Sequence, residues 1–297
     1  QKMKSSAHAF AVNDSFDASE RYPENLRPIL NRADSDETRR EIASWEGYEV
    51  TPLVPLPGLS ARLGIASLHD KDESSRFGLG SFKSLGGAYA VLKILLKQVE
   101  KKTGRKVDAA ELISGKYAYL TDELTVCSAT DGNHGRSVAW GARMFGCKCV
   151  IYIHATVSES RKLSIENYGA QVVRVPGNYD DTVRFCAGEA DRLGHVVVSD
   201  TSYEGYVEIP RDVMRGYTVL AAEIVEQFAG KAPPTHVFVQ SGVGGLAAAV
   251  CSYFWGAWND RRPVFVVVEP ENAACFYESV QAGRPTAVGG DLETMMA

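Results

Sequence analysis

Long apolar runs, paired metal-ligand spacings and an excess of positive charge are all missing from this 297-residue chain. No stretch reaches the roughly 18 uninterrupted apolar residues that a bilayer-spanning helix needs, and the polar start QKMKSSAHAF does not read as a signal peptide. Lys+Arg number 32 against 37 Asp+Glu, a formal net charge of −5, so neither a nucleic-acid footprint nor a membrane anchor is expected. The six cysteines, at 127, 147, 149, 186, 251 and 275, form no C-x-x-C pair. Several fall inside apolar runs, which reads as free thiols in a reducing, cytoplasmic compartment and not as a disulfide framework. The six histidines show no H-E-x-x-H, and no metal site is expected. Repeats and low-complexity segments are also lacking. What is present is 45% hydrophobic residues, and a chain of this size buries about three quarters of its unfolded surface without staples.

Residues 1 to about 50 are polar and irregular, with one charged stretch, RADSDETRREIASW, compatible with a short helix. TPLVPLPGL (51–59) reads as extended, because each X-Pro pair disfavours α geometry in the residue before it. From there strands and helices alternate. Strands are expected at IASLHD (65–70), LTVCSA (124–129), KCVIYI (148–153), QVVRV (171–175), HVVVS (195–199), HVFVQ (236–240) and PVFVVVE (263–269). Phe82, Leu85, Tyr89, Leu92, Leu96 and Val99 recur at helical spacing up to Gly104. Further helices are expected from about Gly135 to Phe145, from a Thr156/Glu159 capping box to Gly169, and from Asn178 to Leu193. In the last of these, Val183, Ala187, Ala190 and Leu193 share a face. Two more lie near 212–228 and 246–258. β-branched runs separated by amphipathic helices imply parallel strands buried on both faces, a doubly wound α/β architecture.

Three segments carry chemistry. In HVFVQSGVGGLAAAV a glycine loop joins a strand to a helix, and Gly242, Gly244 and Gly245 leave backbone N–H groups free to cradle a phosphate. The same string satisfies a relaxed dinucleotide fingerprint, with Glu269 about where a ribose-binding acid would sit, so nicotinamide, flavin, another phosphate ligand and a bare tight turn all stay open. In CSATDGNHGRSVAWGA, Asp131, Gly132, Asn133 and His134 crowd polar groups at the carboxyl end of a strand, where open α/β sheets bind ligands. Helix capping by Asp131 or Asn133 is the plainer alternative. In KDESSRFGLGSFKSLGGAYAV, Lys83 opens an apolar helix flanked by Gly80, Gly86 and Gly87. A solvated lysine, with pKa about 10.4, is a poor nucleophile, but desolvation beside a cationic neighbour can lower it enough for Schiff-base chemistry. A phosphate cradle, a polar loop and an embedded lysine together are the contacts pyridoxal phosphate needs.

At these residues the sequence resembles the tryptophan-synthase-like, fold-type-II family of pyridoxal-phosphate enzymes. The matching strings are KDESSRFGLGSFKSLGGAYA, ATDGNHGRSVAWGA, NYDDTVR, QSGVGGLAAAV, VVVEP and VGGDLETMMA, covering most of the chain from Thr51 onward. The resemblance implies mostly parallel sheets in two domains, a large cofactor domain of residues 1–90 plus 200–297 and an inserted small domain of 91–199. It would continue beyond the last residue, so the large domain is expected to lack its C-terminal part. It implies that Lys83 bonds the cofactor, that Asn133 hydrogen-bonds the cofactor's phenolic oxygen, and that Gly242, Val243, Gly244 and Gly245 hold the phosphate. Serine and threonine dehydratases of the wider family have a hydroxyl residue where this chain has Asp131, and a carboxylate there favours a diamino acid over a hydroxy amino acid. The implied activity is α,β-elimination of 2,3-diaminopropionate to pyruvate and ammonia. Asp131 or Lys83 would remove the α-proton. Hydroxy-amino-acid dehydration, β-replacement and cofactor binding without turnover are the alternatives. Asp200, following HVVVS, is a second acid–base candidate or a structural acid. Tyr203 lines the substrate pocket or merely packs. His134 is expected to be structural, and Glu269 to end a strand near the cofactor ring. A homodimer with a small amino-acid substrate is the family expectation.

Overall fold

The computed structural model describes residues 10–14, 16–130 and 132–288. In chain order its elements begin with α1 (Arg32–Ala43), β1 (Leu53–Pro55), α2 (Pro57–Leu63), β2 (His69–Lys71), α3 (Lys83–Thr103), α4 (Ala109–Ile113) and α5 (Ala118–Thr121). There follow β3 (Thr125–Ala129), α6 (Asn133–Phe145), β4 (Lys148–His154), α7 (Glu159–Glu166), β5 (Gln171–Val175), α8 (Tyr179–Leu193) and β6 (Val196–Val197). The series closes with α9 (Glu208–Gln227), β7 (His236–Gln240), α10 (Gly245–Trp258), β8 (Val264–Val268) and α11 (Cys275–Ala282).

The strands form an all-parallel sheet in the order β5-β4-β3-β6, a parallel pair β7-β8, and an antiparallel pair β1-β2. Successive strand side chains point to opposite faces, so the four-stranded sheet serves two cores. Val126, Ile151 and Ile153 face the main core with α3 and α6, while Cys127 and Tyr152 face a smaller one with Cys186 and Ala190 of α8. That sheet is covered on both sides, as its β-branched runs imply. The pair β7-β8 is not. Val239 is buried, but Phe238 is 65% exposed, Val264 47% and Val268 48%, and no helix among the described residues covers that face.

Several local expectations are corrected. Only Leu53–Pro55 of the proline-rich segment is strand, because Pro57 takes the first turn of α2, where a missing N–H costs nothing. IASLHD contributes only its end to β2, which pairs with β1. The cap of α7 is Ser158, which accepts from Arg161 N, and the helix stops at Glu166. Asn178 does cap α8 through a full capping box, but the buried stripe is Thr182, Cys186 and Ala190, while Val183 and Leu193 stay exposed. The N-terminal region is less irregular than its polarity suggests. Asn31 caps α1, which packs on α9, and Leu30, Ile42 and Trp45 join the buried residues.

Two helices position the chemistry. Helix α3 carries Lys83 in its first turn, then buries Leu85, Leu92, Leu95 and Val99 before Gly104 ends it in the left-handed region. Helix α6 lies so close to it that a Cβ at Gly87 would sit 2.4 Å from Ser137 Oγ, and one at Gly141 2.7 Å from Ala88 Cα. Ser137 uses this proximity: its hydroxyl donates to the Lys83 carbonyl at 2.7 Å and accepts from Ala88 N at 3.1 Å. The lysine's backbone is thereby tied to the helix that follows the D-G-N-H-G loop.

Candidate active site

Lys83 Nζ donates to Asp200 Oδ2 at 2.6 Å, with the two side chains 24% and 12% exposed. The partners lie 117 residues apart in sequence and meet because Asp200 follows β6, next to the carboxyl end of β3. This corrects the expected cationic neighbour: the lysine faces a carboxylate. Burial opposes the Lys83 charge, but Asp200, reinforced by the Tyr217 hydroxyl, outweighs it and raises the lysine above its ordinary range. Burial likewise opposes the Asp200 charge, and Lys83 with His134 holds that carboxyl well below the usual range. Lys83 therefore rests as an ammonium and needs a trigger to become an amine.

His134 stands beside the pair, its Nδ1 3.8 Å from Asp200 Oδ2 and its Nε2 2.9 Å from the Val198 carbonyl. Burial lowers its pKa against the pull of Asp200, so the ring is neutral, with Nε2–H donating to Val198. Nδ1 then presents a lone pair and has no hydrogen-bond partner among the described residues.

The polar loop is held by a residue the motif reading missed. Thr130 Oγ1 accepts from Gly132 N at 3.1 Å and Gly135 N at 3.2 Å, which leaves neither Asp131 nor Asn133 needed as the cap of α6. Asn133 is exposed at the helix start. Asp131, singled out above as an acid–base group, lies outside the described residues.

The glycine loop connects β7 to α10 and comes up against the same place. A Cβ at Gly245 would be 3.6 Å from Met214, 3.8 Å from Tyr217 and 3.9 Å from the Asp200 carbonyl. Gly242 has nothing within 4 Å of a built Cβ, and Gly244, at φ +89, adopts a conformation that disfavours a side chain. Val243 is 50% exposed. Ser241, which opens the loop, is 2% exposed, and its Oγ has no partner among the described residues. A buried hydroxyl awaiting a partner beside free N–H groups and a helix N-terminus is a fitting receptor for a phosphate.

Glu269 follows β8 beside the glycine loop, with the Cys275 thiol touching both it and the Gly242 carbonyl. Glu269 accepts from Phe276 N at 2.8 Å and Tyr277 N at 2.9 Å, so its carboxylate caps α11 and is committed to backbone. That removes the ribose acid from the dinucleotide reading. Tyr203 is 62% exposed and stacks on Tyr206, whose hydroxyl is anchored to the Val197 carbonyl and Ser199 N. Besides Thr130 and Ser241, sequence reasoning passed over Tyr217 of α9, buried between Lys83 and the glycine loop. Its one local signal was Gly216 inside an apolar helix: a Cβ there would meet the Leu85 carbonyl at 2.1 Å.

A buried lysine, a polar loop and a glycine loop at the carboxyl ends of parallel strands are the parts of a cofactor enzyme of the α/β class. The profile of the family described as pyridoxal-phosphate dependent enzyme matches residues 45–296, and the chain belongs to that family. It is 42% identical over 254 residues to the diaminopropionate ammonia-lyase of Salmonella typhimurium, covering 84% of this chain and 63% of that protein. The crystal structure of holo diaminopropionate ammonia lyase from Escherichia coli superposes with a TM-score of 0.81 at 37% identity, over 88% of this chain and 66% of that one. A structure of the Escherichia coli enzyme with an aminoacrylate-PLP azomethine reaction intermediate gives 0.78 at 38% identity, over 88% and 65%. The chain thus spans about two thirds of the length of these relatives.

Proposed function

We propose that this chain is the cofactor-binding part of a lyase that converts 2,3-diaminopropionate and one water to pyruvate and two molecules of ammonia. The observation that carries the reading is the meeting of Lys83, Asp200 and His134 with Gly245, the residue at which the glycine loop passes into α10. Relatives named for this activity support the choice of substrate. When bound, pyridoxal phosphate supplies an aldehyde for an amine and a ring that spreads carbanion charge.

The remaining roles belong to this chain's own side chains. Ser241 Oγ and the N–H groups of Gly242, Val243, Gly244 and Gly245 hold the phosphate, and Asn133 reaches the phenolic oxygen. Lys83 provides the covalent anchor, and Asp200 keeps it charged until it reacts. Asp131 moves protons on the substrate and attracts its second ammonium group. We further assign residues 1–90 with 200–297 to a cofactor domain and 91–199 to an inserted one, a division supported by the four-stranded sheet lying within the latter, although α3 runs across residue 91. A homodimer in the cytoplasm completes the reading; six free cysteines accord with that compartment.

The test is turnover of the full chain loaded with pyridoxal phosphate, with each stereoisomer of 2,3-diaminopropionate, and with serine and threonine. Two ammonia per pyruvate, from a diaminopropionate isomer in preference to serine, is expected. Faster turnover of serine or threonine, or no pyruvate from loaded protein, overturns the reading.

A further inference from the structure

The phenol of Tyr217 is 1% exposed; Lys83 is close enough to act on its oxygen as a donor, but the hydroxyl's own proton has no acceptor within hydrogen-bond distance among the described residues. Its ring is clamped. A Cβ at Gly86 would lie 2.5 Å from Cε1 and 2.8 Å from Cζ, and Phe82 meets the ring edge-on at 5.0 Å between centroids. Lys83 Nζ is 5.8 Å from the ring centroid, and both Lys83 and Asp200 act on the phenol's titration. A buried O–H whose proton has no acceptor beside an ion pair costs free energy in this state, so a second state that uses that proton is the natural inference.

The chemistry of the pair names that state. To bond an aldehyde, the Lys83 ammonium must first lose a proton, which can leave along its solvent-exposed flank. Asp200 would then face a neutral amine, and a buried carboxylate without a strong donor is costly. His134 offers it none, because its one N–H goes to Val198. Of the titratable groups facing Asp200 among the described residues, namely Lys83 on α3, His134 on α6, Tyr206 ahead of α9 and Tyr217 on α9, the Tyr217 phenol is the one with an uncommitted donor, because the Tyr206 hydroxyl already donates to the Val197 carbonyl. Burial raises the Tyr217 pKa, Lys83 opposing and Asp200 reinforcing, so the phenol keeps its proton at any working pH.

We propose that the Tyr217 hydroxyl is a positioning group for Lys83, accepting an N–H from the uncharged amine while donating its own proton to Asp200. The relay orients the amine's lone pair and supplies the carboxylate with the donor it lost. Amine and aldehyde then condense, the nitrogen giving both its hydrogens to the carbonyl oxygen, which departs as water. The inference rests on the cofactor reading above, and its test separates the two.

The experiment measures the rate at which pyridoxal phosphate is captured by the cofactor-free full chain between pH 6 and 10, trapped with borohydride and mapped to Lys83. Capture by the unaltered protein tests the cofactor reading; the difference made by Tyr217→Phe tests the relay. The expected result is capture about tenfold slower at neutral pH, the profile displaced about one pH unit upward. The thermal midpoint of the cofactor-free variant should be equal or higher, because a buried hydroxyl proton without an acceptor has been removed. An unchanged pH profile overturns the proposal, as does slower capture at every pH by the same factor. Should the variant not fold, a 13C label at Cζ of Tyr217 in the unaltered protein decides. Its resonance must move when Lys83 is loaded, and an unmoved resonance overturns the relay.

Discussion

Among the described residues, the ionic clusters around Glu223 and around Lys83 are built to opposite standards. Around Glu223, which is fully buried, every polar atom is matched. Its carboxylate accepts from Arg76 Nη1 and Nη2 at 2.8 Å, from Lys71 Nζ at 2.6 Å and from Tyr48 Oη at 2.8 Å. Lys71 uses its remaining donors on the Thr51 carbonyl and Gln227, and Arg76 reaches Glu73, Thr51 and the Glu49 carbonyl. Beside the Lys83–Asp200 ion pair, His134 Nδ1 and Tyr217 Oη have hydrogen-bonding capacity unfilled among the described residues, as has Ser241 Oγ at the start of the glycine loop. Saturated networks hold parts together. The first ties the segment around β1 and β2 to α9. Unsaturated ones await something, and in the reading proposed above that something is the cofactor.

The comparison predicts that damage at the two clusters appears in different measurements. The largest effect should come from Asp131→Asn, with turnover of diaminopropionate falling about 10²–10⁴-fold, the usual worth of a placed acid–base group, while cofactor affinity stays within about threefold. Equal activity would remove Asp131 from the mechanism. Glu223→Ala should cost about 3–5 kcal/mol in urea unfolding, since Arg76 and Lys71 lose their shared buried anion. The fraction still folded should capture pyridoxal phosphate at the unaltered rate. A loss below about 1 kcal/mol would mean that the network is not structural.

A smaller effect, with a defined pH signature, belongs to Asp200→Asn. The folded-state pKa of Asp200 is depressed, so its contribution is present above the unfolded value near 4 and is lost as pH falls below it. The stability gap to the unaltered protein, about 1–3 kcal/mol at pH 7 after allowing for the partly open flank of Lys83, should therefore begin to narrow as pH falls below about 4 and go on narrowing until the pH has passed the depressed folded-state value. A gap that is constant with pH would show that the ion pair contributes nothing. Smallest of all, Lys97→Ala, which removes an exposed pair with Glu208, should change stability by no more than about 0.5 kcal/mol.

The sequence displayed these clusters unequally. Lys83, the D-G-N-H-G loop and Gly242 to Gly245 were legible because each is a contiguous string whose composition exceeds what a turn or cap requires. The parallel strands were legible because β-branched runs stand out against amphipathic helices. The partner of Lys83 was not: Asp200 was a candidate on its own account, but the ion pair that reverses the lysine's expected pKa depends on a contact across 117 residues. Tyr217 and Ser241 were invisible for a related reason, since a lone tyrosine in an apolar helix and a serine before glycines become distinctive only when burial leaves their hydrogen-bonding capacity unfilled. The second half of the proline-rich segment was misjudged because proline signals an end to helix and also a first turn of one, and only packing decides between them. The open face of β7-β8 could not be read at all, because a strand's own residues do not say what covers them.

The most direct test of the account is the site of cofactor attachment in the full chain. Protein loaded with pyridoxal phosphate, reduced with borohydride and digested should carry the label on Lys83, with Lys71, equally close to a carboxylate but fully partnered, unlabelled. A label on Lys71 or spread over surface lysines, or none at all, would contradict the claim that the unsaturated cluster is the active site.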